Sequence, residues 1–190
     1  MEPVQDKSFW NAAGMAGAIF GFVVFLISLI GSYLTIMSEP TGSFLSGSMV
    51  SSGVGCLVGA FGGVLAVKFY INEFGPEIKI GKGAVIGLVT GLFITLLYQV
   101  LNLIWPIIDS SYLENLQTAM IANFEMMEQL STEQRDQMID AIYTQMQNYY
   151  SAASIIQNLL LGALTYGLLN VLSGLLSAKF MGTPPQEELF

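Results

Sequence analysis

At 190 residues, with 53% hydrophobic and 11% charged side chains and a mean hydropathy of +0.62, the chain lies outside the range of soluble domains, which carry about 25% charged residues. A net charge of −8, only six Lys and Arg, and no histidine leave no basic footprint for nucleic acid or an anionic surface and remove the commonest general base and transition-metal ligand. The single cysteine, Cys56, excludes an intramolecular disulfide framework.

The opening MEPVQDKSFW is polar and holds Lys7, and the run from Asn11 to Ser38 carries no charge. It exceeds the roughly 7 to 15 apolar residues of a signal-peptide core and reaches the roughly 20 that cross a bilayer, so it reads as an uncleaved anchor over about 11–37. Gly17 and Gly21 form a small-xxx-small pair in it. The segment SEPTGSFLSGS, punctuated by Pro40, Gly42 and Gly47, is a short turn. A second apolar run, about 48–71, has glycines at 55, 59 and 63. The polar connection KFYINEFGPEIKIGK breaks at Gly75 and Pro76.

Gly83 to Ile108 holds no charge, spaces Gly83, Gly87 and Gly91 by four, and reaches Trp105 and Pro106. It is expected to span the bilayer over about 83–106, with an aromatic at the interface and proline as the stop. The character then changes, because half of the fourteen acids lie between Asp109 and Asp140. There Leu113, Leu116, Met120, Phe124 and Met127 step by three or four opposite Glu114, Asn123, Glu125 and Glu128. Met138, Ile142, Met146 and Tyr149 repeat the pattern after Ser131 and Gln134, which have capping-box spacing. The expected fold is therefore all-α and polytopic: a single membrane domain of four transmembrane helices, the last over about 152–178, with an amphipathic helical hairpin over 109–150.

Lys7, Lys68, Lys79, Lys82 and Lys179 fall on one face of such a protein and only Arg135 on the other. Basic residues stay on the cytoplasmic side, so both termini are expected there and the acidic pair outside.

Helices in hydrocarbon gain nothing by hiding apolar side chains from lipid, so they associate through close contact at small residues. Gly17, Gly21, Gly55, Gly59, Gly63, Gly83, Gly87 and Gly91 are the expected packing positions, within the bundle or, for the ridge on the second span, against another subunit. Gln99, Asn102, Gln157, Asn158 and Asn170 are the intramembrane polar groups. Antiparallel third and fourth spans put the first four at one depth and Asn170 near Thr90. No Asp, Glu, Lys or Arg lies centrally in any span, which argues against a proton relay or ion-coupled transport. Met120, Met126, Met127, Met138 and Met146 lack nearby His or Cys and are better read as adaptable apolar surface than as copper ligands. Glu125, Glu128, Glu133, Asp136 and Asp140 lack the calcium-loop pattern and read as a solvated face. No catalytic, cofactor-binding or metal-binding residue is expected.

Four spans with an acid- and methionine-rich insert before the last, carried by SFWNAAGMAGAIFG, LSTEQRDQMIDAIYTQM and SGLLSAKF, resemble the bacterial membrane family called domain of unknown function 4199. The resemblance implies the topology and supplies no activity, cofactor or site residue. The expected function is a non-enzymatic accessory or structural subunit. Leu116, Met120, Phe124, Met127, Met138, Ile142 and Met146 would meet a membrane-protein partner, a second copy or the lipid surface. The alternative is a small channel or facilitator for an uncharged solute, lined by Gln99, Asn102, Gln157 and Asn158 and requiring a water-accessible path beside them.

Overall fold

A computed structural model describes residues 8–43 and 46–183; Lys7 and the C-terminal tail lie outside the described residues. The described residues form seven helices: α1 (Trp10–Met37), α2 (Gly47–Gly59), α3 (Gly62–Phe74), α4 (Ile80–Ile108), α5 (Tyr112–Glu125), α6 (Thr132–Gln147) and α7 (Ala152–Met181). Among the described residues there is no strand, only an isolated parallel bridge between Glu77 and Thr183. Among the described residues four rods are long and apolar enough to cross a membrane: α1, α2 with α3, α4, and α7.

The boundaries follow local chemistry. Ser46, Ser131 and Ser151 each accept a backbone N–H of the turn that they open, and Gln134 closes the capping box at Ser131. Gly75, at φ +94°, ends α3 before Pro76. Pro106 does not stop the third span as expected. It sits inside the last turn of α4, which runs on to Ile108, because a missing N–H is tolerated where another group takes up the freed carbonyl.

The bundle is built on α4, which packs against α7, α1 and α3, while α7 also meets α3. Backbones approach closely there. A Cβ on Gly87 would collide with the Asn170 carbonyl, one on Gly91 with the Tyr166 carbonyl, and Gly83 lies against Gly174. Gly17 and Gly21 bring α1 onto α4 near the carbonyls of Thr90 and Ile94. On the second span Gly55 faces Val24, Gly59 faces Tyr166, and Gly63 faces Ser173 and Gly174. That ridge is thus occupied within the chain and not free for another subunit. Outward, Leu160, Leu164, Leu168, Leu172 and Leu176 line one exposed stripe of α7, the surface that acyl chains cover.

At the end of the bundle where α7 finishes, Thr183 N–H donates to the Pro76 carbonyl at 2.8 Å and Ile78 N–H donates to the Thr183 carbonyl at 3.2 Å. At the opposite end α5 packs on α1. There Asn123 clasps the first connection: its Oδ1 accepts from Thr41 and Gly42 N–H and its Nδ2 donates to the Ser43 carbonyl. Helical periodicity had placed Asn123 on a solvated face.

Candidate functional site

The second span is not one helix. Glycines at 59, 62 and 63 let α7 come close enough for Asn170, which is 0% exposed, to insert its carboxamide between α2 and α3. Asn170 Oδ1 accepts from Gly63 N–H at 2.5 Å, and its Nδ2 donates to the Gly59 carbonyl at 3.1 Å and the Tyr166 carbonyl at 2.8 Å. Residues 59 and 63 are i and i+4, the pair whose carbonyl and N–H bond each other in an unbroken helix. The side chain has replaced one rung of the ladder and satisfies both groups, which hydrocarbon would otherwise leave bare at a cost of several kcal/mol.

The break divides the bundle into unlike halves. Below it α3 packs against α1, α4 and α7 alike, and the level is dry, with Ile86, Thr90, Ile94 and Asn170 all inaccessible. Above it α2 stays on α1 and barely touches α7. The space so opened is a cleft of about 370 Å³ bounded by Cys56 on α2, Thr95, Tyr98, Gln99 and Asn102 on α4, and Asn158, Gly162 and Tyr166 on α7. Gln145, Tyr149, Asn158 and Leu161 also border a wider hollow of about 700 Å³ between the end of α6 and the start of α7, which adds Asn148, Ser154 and Gln157. Among the described residues no Asp, Glu, Lys or Arg lines either space.

Tyr149 fixes the mouth. Pro106 offers no N–H to the Asn102 carbonyl four residues earlier, and the Tyr149 hydroxyl donates to that carbonyl at 2.9 Å. Burial pushes the Tyr149 phenol well above its ordinary value, so it remains a donor throughout the physiological range. Asn102 Nδ2 donates to its own helix at the Tyr98 carbonyl, and Thr90 and Thr95 likewise bond the carbonyls of Ile86 and Gly91. Gln99, Gln157 and Asn158 make no side-chain hydrogen bond to a described residue. Of the four carboxamides expected at one depth, Gln99, Asn102 and Asn158 line the cleft, while Gln157 lines the wider hollow, which shares Asn158 with it. Asn170 lies at the level of Thr90 but bonds the second span.

A second polar cluster marks the same end of the bundle. Tyr33 Oη donates to Asp109 Oδ2 at 2.5 Å, Trp105 Nε1 donates to Tyr33 Oη at 3.2 Å, and Ser111 donates to Asp109 Oδ1 through both N–H and Oγ. The Tyr33 hydrogen bond, followed by those from Ser111, holds the Asp109 carboxyl below its ordinary value.

The residues expected to meet a partner are placed differently. Met127 is 2% and Ile142 6% exposed, and Leu116, Met120, Phe124, Met138 and Met146 are half-buried. Met120, Phe124, Met127 and Met138 surround an apolar hollow of about 280 Å³ with Thr35, Ser48 and Met49 of α1 and α2. The stripe is turned onto the chain itself, because α5 and α6 fold down over the first connection and Arg135 Nη2 pins the Met127 carbonyl at 3.0 Å. Among the described residues no three His, Cys, Asp or Glu side chains gather as a metal site.

No curated protein and no solved structure is significantly similar to the chain. Residues 14–182 match a family described as "Protein of unknown function (DUF4199)". With nearly the whole described chain covered, from the first glycines of α1 to the residue after α7, the protein belongs to that family.

Proposed function

We propose that the protein is a membrane facilitator that admits an uncharged polar solute into the cleft between α2, α4 and α7 from the side bearing α5 and α6. The observation behind this reading is a pair of hollows that share Tyr149 and Asn158 and are lined by Gln99, Asn102, Gln157 and Asn158, with no charged side chain from the described residues. Carboxamides each offer donors and an acceptor, suited to hydroxyl- or amide-bearing solutes. An ion would find no counter-charge there to offset its lost hydration. The lysines at 68, 79, 82 and 179 favour the opposite end as cytoplasmic, so the cleft opens outward from a bacterial cytoplasmic membrane. The protein in liposomes should pass glycerol or urea faster than empty vesicles while remaining tight to sodium and chloride. The double variant Gln99→Leu with Asn158→Leu should lose this flux by about tenfold or more while Tm changes little, since surface changes away from packed features cost about 0.5 kcal/mol or less. Equal swelling with and without protein for every neutral solute sinks the reading.

An accessory-subunit role, with the 109–150 segment as a helical hairpin for a membrane-protein partner or a second copy, has narrower support. It rests on the exposed Met126, Tyr143 and Tyr150, since the longer apolar stripe is turned inward. Crosslinks from residues 143 or 150 to another chain in native membranes favour it.

A further inference from the structure

Two backbone groups at the joint of the second span have two possible sets of partners. Gly59 C=O and Gly63 N–H are four residues apart and would bond each other if α2 and α3 formed one helix. Here both are held by the Asn170 carboxamide. Both backbone groups are satisfied in either arrangement; on withdrawal Asn170 Nδ2 keeps the Tyr166 carbonyl on its own helix, while Oδ1 gives up its Gly63 donor. An exchange that keeps both backbone groups paired avoids the cost of a bare backbone group in hydrocarbon, which otherwise forbids breaking a span.

We propose that the second span is a two-state element in which insertion of Asn170 breaks the helix and opens the cleft, and withdrawal of Asn170 restores a continuous helix that closes it. The direction follows from the packing. The lower half, α3, already runs in contact with α1, α4 and α7, whereas the upper half, α2, leans on α1. A helix continuing the course of α3 would run against α7 and fill the space beside Cys56 and Tyr166, which already border one another at the edge of the cleft. Glycines at the joint suit the change, since backbone can rotate there without displacing a side chain. The proposal deepens the facilitator reading by supplying its gate, but the conformational exchange can be observed without any solute.

Cys56 is the only cysteine in the chain and lines the cleft three residues before Gly59, so its thiol reports on the gate in the full-length protein. In nanodiscs, a membrane-impermeant maleimide should label Cys56 of the native protein. Asn170→Leu removes the wedge and should slow labelling by about tenfold, the response to a population shift of roughly 1.4 kcal/mol. Gly62→Ala is the independent route, because a Cβ there would fall 2.8 Å from Asn170 Oδ1 and expel it; it should slow labelling in the same direction even if Asn170→Leu does not fold. Phe61→Pro acts oppositely. Phe61 is exposed and heads α3, where a proline gives up the N–H bond to the Val58 carbonyl but its ring disfavours a continuous helix more than a broken one, so adding it to either variant should restore the native rate. Folded Asn170→Leu or Gly62→Ala protein that labels at the native rate overturns the gate, as does slowed labelling that Phe61→Pro fails to reverse. Labelling that responds as described, with no flux of any neutral solute, keeps the gate and removes the facilitator.

Discussion

The two halves of the second span show how differently one bundle can treat the same apolar sequence. Around α3 the helices meet on glycines, and Ile86, Thr90, Ile94 and Asn170 are sealed from solvent. Around α2, one turn further on, the helices part and unpaired carboxamides face a hollow. Both halves are apolar and glycine-rich, so composition does not separate them. What does is the point at which α7 presents an amide to the backbone. In hydrocarbon a helix breaks only where another group takes over its hydrogen bonds, and Asn170 provides that at one level. Tyr149 does the same for the carbonyl orphaned by Pro106 at the mouth of the cleft.

The sharpest way to break this contrast is to overfill the sealed half and compare it with the open one. Gly87→Val drives a side chain into the Asn170 carbonyl. Overpacking costs about 1–3 kcal/mol and more where backbone must move, so little folded protein should survive extraction, or Tm should fall steeply. A Cβ at Gly53, on the open half, meets nothing within 4 Å, and Gly53→Val should shift stability by about 0.5 kcal/mol or less. Equal thermal shifts for the two variants would erase the distinction between the halves.

A smaller effect tests whether side chains replace missing rungs. Tyr149→Phe leaves the Asn102 carbonyl without its donor, a loss of about 1–3 kcal/mol for a buried group. Pro106→Ala restores an N–H for that carbonyl. In the Pro106→Ala background the same Tyr149→Phe change should therefore cost far less, and a double-mutant cycle on chemical or thermal unfolding measures the difference. Additive effects would mean that the tyrosine acts by packing alone.

Much of this architecture was legible because each rule involved is local. Charge-free length marks the four rods, and Ser131 with Gln134 marks the start of α6. What escaped was set by neighbours remote in the chain. The glycines at 55, 59 and 63 have one spacing whether they form a packing ridge or a joint, and only the arrival of Asn170, 107 residues from Gly63, makes them a joint. Asn123 stood among acids on a helical wheel, yet the first connection folds over to meet it. The carboxamides of the cleft were placed at one depth by antiparallel counting. That they line a hollow depends on the lean of α2, which no periodicity encodes.

The least of the expected effects concerns the aromatic cluster that ends the open half. The Tyr33 hydroxyl donates to Asp109, and its hydrogen bond is the largest cause of the lowered carboxyl pKa. A carboxylate whose folded pKa is depressed stabilises the fold fully above its ordinary value of 3.8 and loses that contribution as pH falls through the folded value. Tyr33→Phe removes the main cause and leaves the Ser111 bonds, so the variant should have a lower Tm than the native protein at about pH 6, and the gap should narrow toward about pH 3. Part of the gap should persist in acid, because Trp105 Nε1 also loses its acceptor. Asp109 is solvent-facing, which keeps the whole effect below those of Gly87 and Tyr149. A gap independent of pH would show that the tyrosine serves the cluster through ring packing on Trp105 and Tyr112, and that the open half, like the sealed one, is held at its end by shape rather than by charge.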